Sequence, residues 1–149
     1  MAKTSKEEIM AFMAHKTLAV AGASRSRAKF GNMVYRDLRA KGYHVLAINP
    51  NAAEVEGDKC YANLSMLPEP VEGLVCVTPP AITEQLVREA AKAGITHVWL
   101  QQGSESKAAI EFCQLSGMRI VTSECILMYQ PNPAWFHKAH RFVKGVFGG

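Results

Sequence analysis

The sequence predicts an α/β protein built on a doubly wound parallel sheet of five strands. Three observations predict it. Five short runs, at Thr17–Gly22, Tyr43–Ile48, Gly73–Val77, Thr96–Leu100 and Met118–Thr122, are apolar almost throughout, as strands covered on both faces are. Segments with helical spacing of apolar residues alternate with them, supplying the crossovers that parallel neighbours need. Glycines at Gly42, Gly94 and Gly117 stand where three of those helices must stop before the next strand, a position that favours a residue free of a Cβ.

In chain order, Thr4 or Ser5 caps a first helix, with Glu7 or Glu8 completing a capping box. Ile9, Met10, Phe12 and Met13 form its apolar face, which is expected to pack on the sheet. A helix over about Phe30 to Lys41 follows the first strand, with Met33, Val34 and Leu38 inward. The second strand closes at Asn49-Pro50-Asn51. Ala52 to Pro70 is a polar connection, with a short helical turn expected between Tyr61 and Met66. The third strand ends at Thr78-Pro79-Pro80, where proline forbids further pairing. A helix over Thr83 to Ala93 leads to the fourth strand, which ends at Gln101-Gln102-Gly103. Ser104 is expected to cap the next helix, which runs to about Ser116. Right-handed crossovers and two-sided winding make 3-2-1-4-5 the expected, Rossmann-like strand order. After the fifth strand, Trp135, Phe136, Ala139, Phe142, Val143, Val146 and Phe147 fall on one stripe of an amphipathic helix over residues 133–147. That helix is expected to dock on its own domain or on a second copy in a homodimer.

The 149 residues are 48% apolar with a mean hydropathy of −0.03, which suits one globular domain over residues 1–149. No apolar run has the length of a membrane span and the first residues lack the apolar core of a signal peptide, so a cytoplasmic location is expected. Cys60, Cys76, Cys113 and Cys125 are widely spaced with no CxxC pair, which argues against zinc and against a disulfide framework. The net charge of +4 is compatible with an anionic small ligand or a polyanion, and no nucleic-acid motif is present.

Chemistry is concentrated at the end of the first strand. Leu18 to Ala21 runs into Gly22-Ala23-Ser24, a turn of small residues that lets backbone approach a ligand. Arg25, Ser26, Arg27, Ala28 and Lys29 lead from it into the next helix. A helix N-terminus with flanking cations suits a phosphate, although the same run also makes an ordinary strand-to-helix turn. In such a sheet, ligands sit beyond the carboxyl ends of the strands. The residues there are Ala23 to Ala28, Asn49 to Asn51, Thr78 to Pro80 and Gln101 to Gly103, and none is acidic. The turn lacks the second glycine of Gly-x-Gly-x-x-Gly, and Asn49 stands where a ribose-binding acid would be. An NAD site is therefore disfavoured, and a ligand with extra phosphate, coenzyme A or NADP, fits better.

Gly22-Ala23-Ser24, Asn49-Pro50, Val77-Thr78-Pro79-Pro80 and Leu100-Gln101-Gln102-Gly103, in that order, resemble the CoA-binding domain family. This family comprises stand-alone relatives of the N-terminal domain of the succinyl-CoA ligase α subunit. The likeness spans roughly residues 15 to 127, and from Gly22 to Pro50 the spacing matches the ligase without a gap. The resemblance implies a coenzyme A site. Gly22, Ala23 and Ser24 would form its turn, with Arg25, Ser26, Arg27 and Ala28 at the phosphates. Asn49 and Pro50 would belong to the site with Asn51 beside the adenosine end, and Val77, Thr78 and Pro79 would flank adenine or pantetheine. Gln101 and Gln102 would follow the pantetheine arm, with Gly103 beside them in the site. Thr78 replaces a proline of the ligase pattern and Gln101-Gln102 its Thr-Glu, changes that bear on which acyl end fits. The ligase's phosphohistidine belongs to a second domain with no counterpart here.

No nucleophile–base pair or metal-ligand set is visible in the sequence. His44 and His97 start strands, at the opposite edge, and read as structural. His137 and His140 have no third ligand nearby. Cys125 follows the fifth strand on the ligand edge, but reads as a buried thiol more readily than as a partner of the CoA thiol. Two functions follow: non-catalytic binding of coenzyme A or an acyl-CoA, or an NAD(P)-linked oxidoreductase or redox sensor on the same fold.

Overall fold

The computed structural model describes residues 4–131. The tail helix expected over residues 133–147, with His137 and His140, lies outside them. Four helices are described: α1 (Lys6–Met13), α2 (Phe30–Ala40), α3 (Pro80–Lys92) and α4 (Lys107–Leu115). The strands are β1 (Thr17–Ala21), β2 (His44–Ile48), β3 (Glu54–Val55), β4 (Asp58–Tyr61), β5 (Gly73–Cys76), β6 (His97–Gln101) and β7 (Arg119–Glu124). The sheet thus has seven strands, not five, in the order β3-β4-β2-β1-β5-β6-β7.

The two extra strands lie in the connection expected to be polar loop. They form a hairpin through Glu56-Gly57, and β4 pairs parallel to β2 at the sheet's flank. This corrects the predicted order. The strand beginning at Gly73 does not flank β2; it pairs with β1, Leu18 opposite Gly73, because β4 already occupies the far side of β2. Counting only the parallel strands, the order is 3-2-1-4-5-6, a doubly wound arrangement.

Alternation along the strands divides the core. Leu18, Val20, Val45, Val75 and Trp99 face α1 and α2, joined by Phe12, Val34, Tyr35 and Leu38. Ala19, Ala21, Leu74, Cys76, Val98 and Leu100 face α3 and α4, with Leu86, Val87, Ala90, Ala109 and Cys113. Ser5 caps α1, its Oγ accepting from the Glu8 N–H, as expected. Met10 and Met33 are each 44% exposed; the inward faces of their helices are filled instead by Ile9, Phe12 and Met13 and by Val34, Tyr35 and Leu38. Ser106, not Ser104, caps α4, since Ser104 is buried and engaged elsewhere.

The amino-terminal edge of the sheet carries His15, His44 and His97. His44 Nε2 meets Glu69. The His15 and His97 rings pack 4.4 Å apart, with His15 Nδ1 3.2 Å from Glu72. Burial, then the neighbouring His15 and Arg119, holds the His97 imidazole below its ordinary value of 6.5, against Glu8 and Glu72, which pull it up. The unfolded chain therefore binds this proton more readily than the folded one, so the contribution is intact above the unfolded pKa and is lost as pH falls through about 6.5. His97→Gln is expected to flatten the drop in Tm between about pH 7.5 and about pH 5.5, which a pair of thermal melts per variant measures.

Candidate functional site at the carboxyl edge of the sheet

β1 lies between β2 and β5, and the helices that follow β1 and β5 cover opposite faces. A crevice opens where those crossovers diverge. Two glycines allow the turn that floors it. Gly22 has φ +113°, and a Cβ there would stand 2.0 Å from the Val77 carbonyl oxygen. Gly31, in the first turn of α2, would bring a Cβ within 2.2 Å of the Gly22 oxygen. The helix is therefore seated directly on the turn. Lys29 is the N-cap of α2 and its side chain makes no capping hydrogen bond, while its carbonyl oxygen accepts from the Asn32 N–H at 3.1 Å.

The turn is stiffened from within. The Ser24 N–H donates to Asn32 Oδ1 at 2.8 Å, and Asn32 Nδ2 donates back to the Ser24 oxygen at 2.7 Å. The Ser26 N–H donates to Ser24 Oγ. Asn49 Nδ2 donates to the Ala23 oxygen, and its Oδ1 accepts from the Asn51 N–H, so one side chain ties the first turn to the loop after β2. The Thr78 N–H donates to Ser104 Oγ, and the Thr78 and Thr83 hydroxyls meet at 2.7 Å.

A cavity of about 490 Å³ lies over this floor. Gly22, Ser24, Asn49, Pro50, Asn51, Val77, Thr78 and Pro79 line it, bringing together residues from three of the four predicted strand ends. Lys29, Asn63, Ile82, Gln85, Leu86 and Glu89 are among the other residues that line it. Of these, sequence reasoning placed Lys29 among the cations of the phosphate site and did not assign the other five. Ile82, Gln85, Leu86 and Glu89 recur at helical spacing along α3 directly after Pro79-Pro80, a signal that was available.

Other predicted residues sit elsewhere. Ala23 is fully buried and presents its carbonyl to Asn49. Arg25, Ser26, Arg27 and Ala28 form the exposed shoulder of the turn, and Arg25 and Arg27 line a second, neighbouring depression of about 660 Å³ with Arg39, Glu54 and Glu56. Gln101 is 2% exposed, and its Oε1 accepts from the Ile126 N–H; it turns into the fold and does not line the cavity. Gln102 and Gly103 are exposed at the end of β6 and also lie outside it.

The electrostatics hold a surprise for a site with no acid at its strand ends. Glu56, in the β3–β4 turn, reaches the shoulder with a side chain only 2% exposed. It accepts from Asn32 Nδ2 at 2.9 Å and from the Arg36 guanidinium at 2.8 Å, and it lies 3.2 Å from Arg27 Nε. The Asn32 amide, then Arg36 and Arg27, hold its carboxyl below the ordinary value of 4.5 against the upward push of burial. Cys60 and Cys76 are buried, and burial raises both thiols. Cys125 is half-buried. Among the described residues, no three His, Cys, Asp or Glu side chains are grouped to hold a metal ion, and no helix is long and apolar enough to cross a membrane.

The sequence profile of the CoA binding domain matches residues 16–131, a span that contains every strand and the whole cavity. The chain belongs to the CoA-binding domain family. It is 27% identical over 123 residues to the ADP-forming acetate–CoA ligase I of Archaeoglobus fulgidus, covering 76% of this chain and 18% of that protein. The chain therefore corresponds to under a fifth of that ligase's length. A conserved hypothetical protein of Pyrococcus furiosus superposes with a TM-score of 0.72 at 39% identity, covering 76% of this chain and 97% of that one. The dinucleotide-forming acetyl-coenzyme A synthetase 1 of Ca. Korarchaeum cryptofilum superposes with a TM-score of 0.66 at 26% identity over 83% of this chain and 28% of the synthetase. The chain is thus similar both to a protein it covers almost whole and to segments of much longer ligases.

Proposed function

We propose that this chain binds coenzyme A or an acyl-CoA in the cavity above Gly22, and that binding rather than catalysis is its role. The adenosine end lies between Asn49-Pro50-Asn51 and the α3 wall, and the phosphates lie over the turn, near Lys29, Arg25 and the N-terminus of α2. The observation that carries this reading is convergence. Gly22, Asn49-Pro50 and Val77-Thr78-Pro79 are separated in sequence, yet they line one cavity beside a shoulder of arginines, within the span that matches the CoA binding domain. Thr78 at the cavity wall has its hydroxyl against Thr83, an arrangement suited to shaping a wall rather than to nucleophilic attack. Gln102 and Gly103 lie on the path a pantetheine arm takes if it leaves toward β6.

The test is ligand-dependent stability. Coenzyme A at a hundredfold excess over its Kd is expected to add about 2.7 kcal/mol, read as a rise in Tm larger than NAD or NADP gives at equal concentration. A shift with NADP and none with coenzyme A would mean that the oxidoreductase reading of the fold is the correct one.

A further inference from the structure

We infer that Glu56 is a positioning residue for this site, its buried carboxylate fixing the shape of the Gly22–Lys29 turn through Asn32 and Arg27. What the turn holds rests on the coenzyme A reading; the geometry that fixes it does not.

Glu56 occupies the first corner of the two-residue hairpin turn between β3 and β4, with φ 52°, followed by Gly57 at φ 83°. Positive φ at both corners favours Asn, Asp or Gly at the first, and a longer side chain there carries backbone strain. The strained residue is also the one whose carboxylate is buried. A buried charge is retained only where it is paired and hydrogen-bonded, and here all the partners lead to the ligand turn.

Asn32 is fully buried. Its Nδ2 carries two protons, one given to Glu56 and one to the Ser24 oxygen, while Oδ1 receives the Ser24 N–H. A carboxylate only accepts. It therefore dictates which end of the amide faces it, and with that the orientation in which both backbone groups of Ser24 are satisfied. At the far end of the turn, Glu56 holds the Arg27 guanidinium and also Arg36, which donates to the Arg27 carbonyl at 3.0 Å. One carboxylate pins the turn at two points.

Asp58 supplies the control. It also links the hairpin to α2, accepting from Tyr35 at 2.6 Å and from Arg39 at 2.8 Å, but it does not touch the turn. Glu56→Gln and Asp58→Asn each remove one negative charge, so electrostatics alone predicts tighter binding of a polyanion by both. Positioning predicts opposite signs. By calorimetry on folded protein, E56Q is expected to bind coenzyme A at least tenfold more weakly than wild type, and D58N equally well or better. Independently of any ligand, exchange of the Ser24 amide followed by NMR is expected to quicken at least tenfold in E56Q and to stay unchanged in D58N. Glu56→Asp is the second variant should E56Q not fold. It keeps the charge and suits the corner better, but its shorter arm does not reach Asn32, so the same losses are expected. Unchanged Ser24 exchange in these variants, or coenzyme A binding as tight as wild type, overturns the inference. If wild type fails to bind coenzyme A, the ligand reading falls and the Ser24 exchange alone decides this one.

Discussion

Gly22→Ala is expected to lower stability by about 3–5 kcal/mol, with two separable causes. The positive φ of +113° disfavours any Cβ, at about 1–3 kcal/mol. The Cβ would also sit 2.0 Å from the Val77 carbonyl oxygen and 2.7 Å from its carbon, both backbone atoms of the residue directly after β5, whose N–H is bonded to the Ala21 oxygen, and overpacking of that kind costs about 1–3 kcal/mol or more. A domain of ordinary stability has about 5–15 kcal/mol in total. Gly117→Ala isolates the first cause, because Gly117 has φ +74° and open space where its Cβ would go. Urea unfolding of both variants should show a loss of about 1 kcal/mol for Gly117→Ala and several times that for Gly22→Ala. Equal losses would mean that the contact between the turn and β5 relaxes without cost. Since Val77 lines the cavity, ligand binding should be lost along with stability in the Gly22 variant alone.

The second large effect concerns charge. Replacing Arg25 and Lys29 together by Ala is expected to weaken coenzyme A binding by about 2–4 kcal/mol, since hydrogen bonds to charged groups contribute about 1.5–3 kcal/mol each and do not add fully. Lys29 lines the cavity and Arg25 its neighbouring shoulder. Arg27→Ala should weaken binding less, because its guanidinium is already directed to Glu56. Calorimetry at two salt concentrations checks this: the double variant should lose affinity and also lose part of the salt dependence. Dephospho-CoA run alongside shows whether either cation reads the 3′-phosphate. A double variant with unchanged affinity places the phosphates elsewhere.

The helices and the five apolar strands were legible because apolar spacing is a local property. Tyr43 to Ile48 or Gly73 to Val77 can only be buried strands. The hairpin at Glu54–Tyr61 was not legible, for the complementary reason. Its strands have two and four residues, four of the six are charged or polar, and only Val55 and Cys60 are buried. Such segments are strands because a neighbour offers them hydrogen bonds. Missing that neighbour was enough to misplace the strand at Gly73. The site divided in the same way. Backbone-driven features such as Gly22 and Asn49-Pro50 could be located from sequence. Gln101 could not be separated from them, since only the fold shows that its amide turns inward to Ile126. Glu56 escaped notice because it reaches the turn from another element, with no spacing that connects it to Asn32 or Arg27.

The central position of β1 also orders events during synthesis. Its neighbour β2 follows one helix later, but its other neighbour, β5, pairs Gly73 with Leu18, so the sheet's middle stays open on one side until that part of the chain has emerged. Pairing over such sequence separation is slow relative to local folding, and domains generally fold as units. The residues of the turn and of the β3–β4 hairpin that braces it emerge before Val77 and α3, which supply the opposite wall. A growing chain carries the residues of the floor before those of the wall, and since α3 lines the cavity, ligand in solution can capture the domain only after α3 has docked, which makes the ligand a stabiliser of the finished fold and not a template for building it.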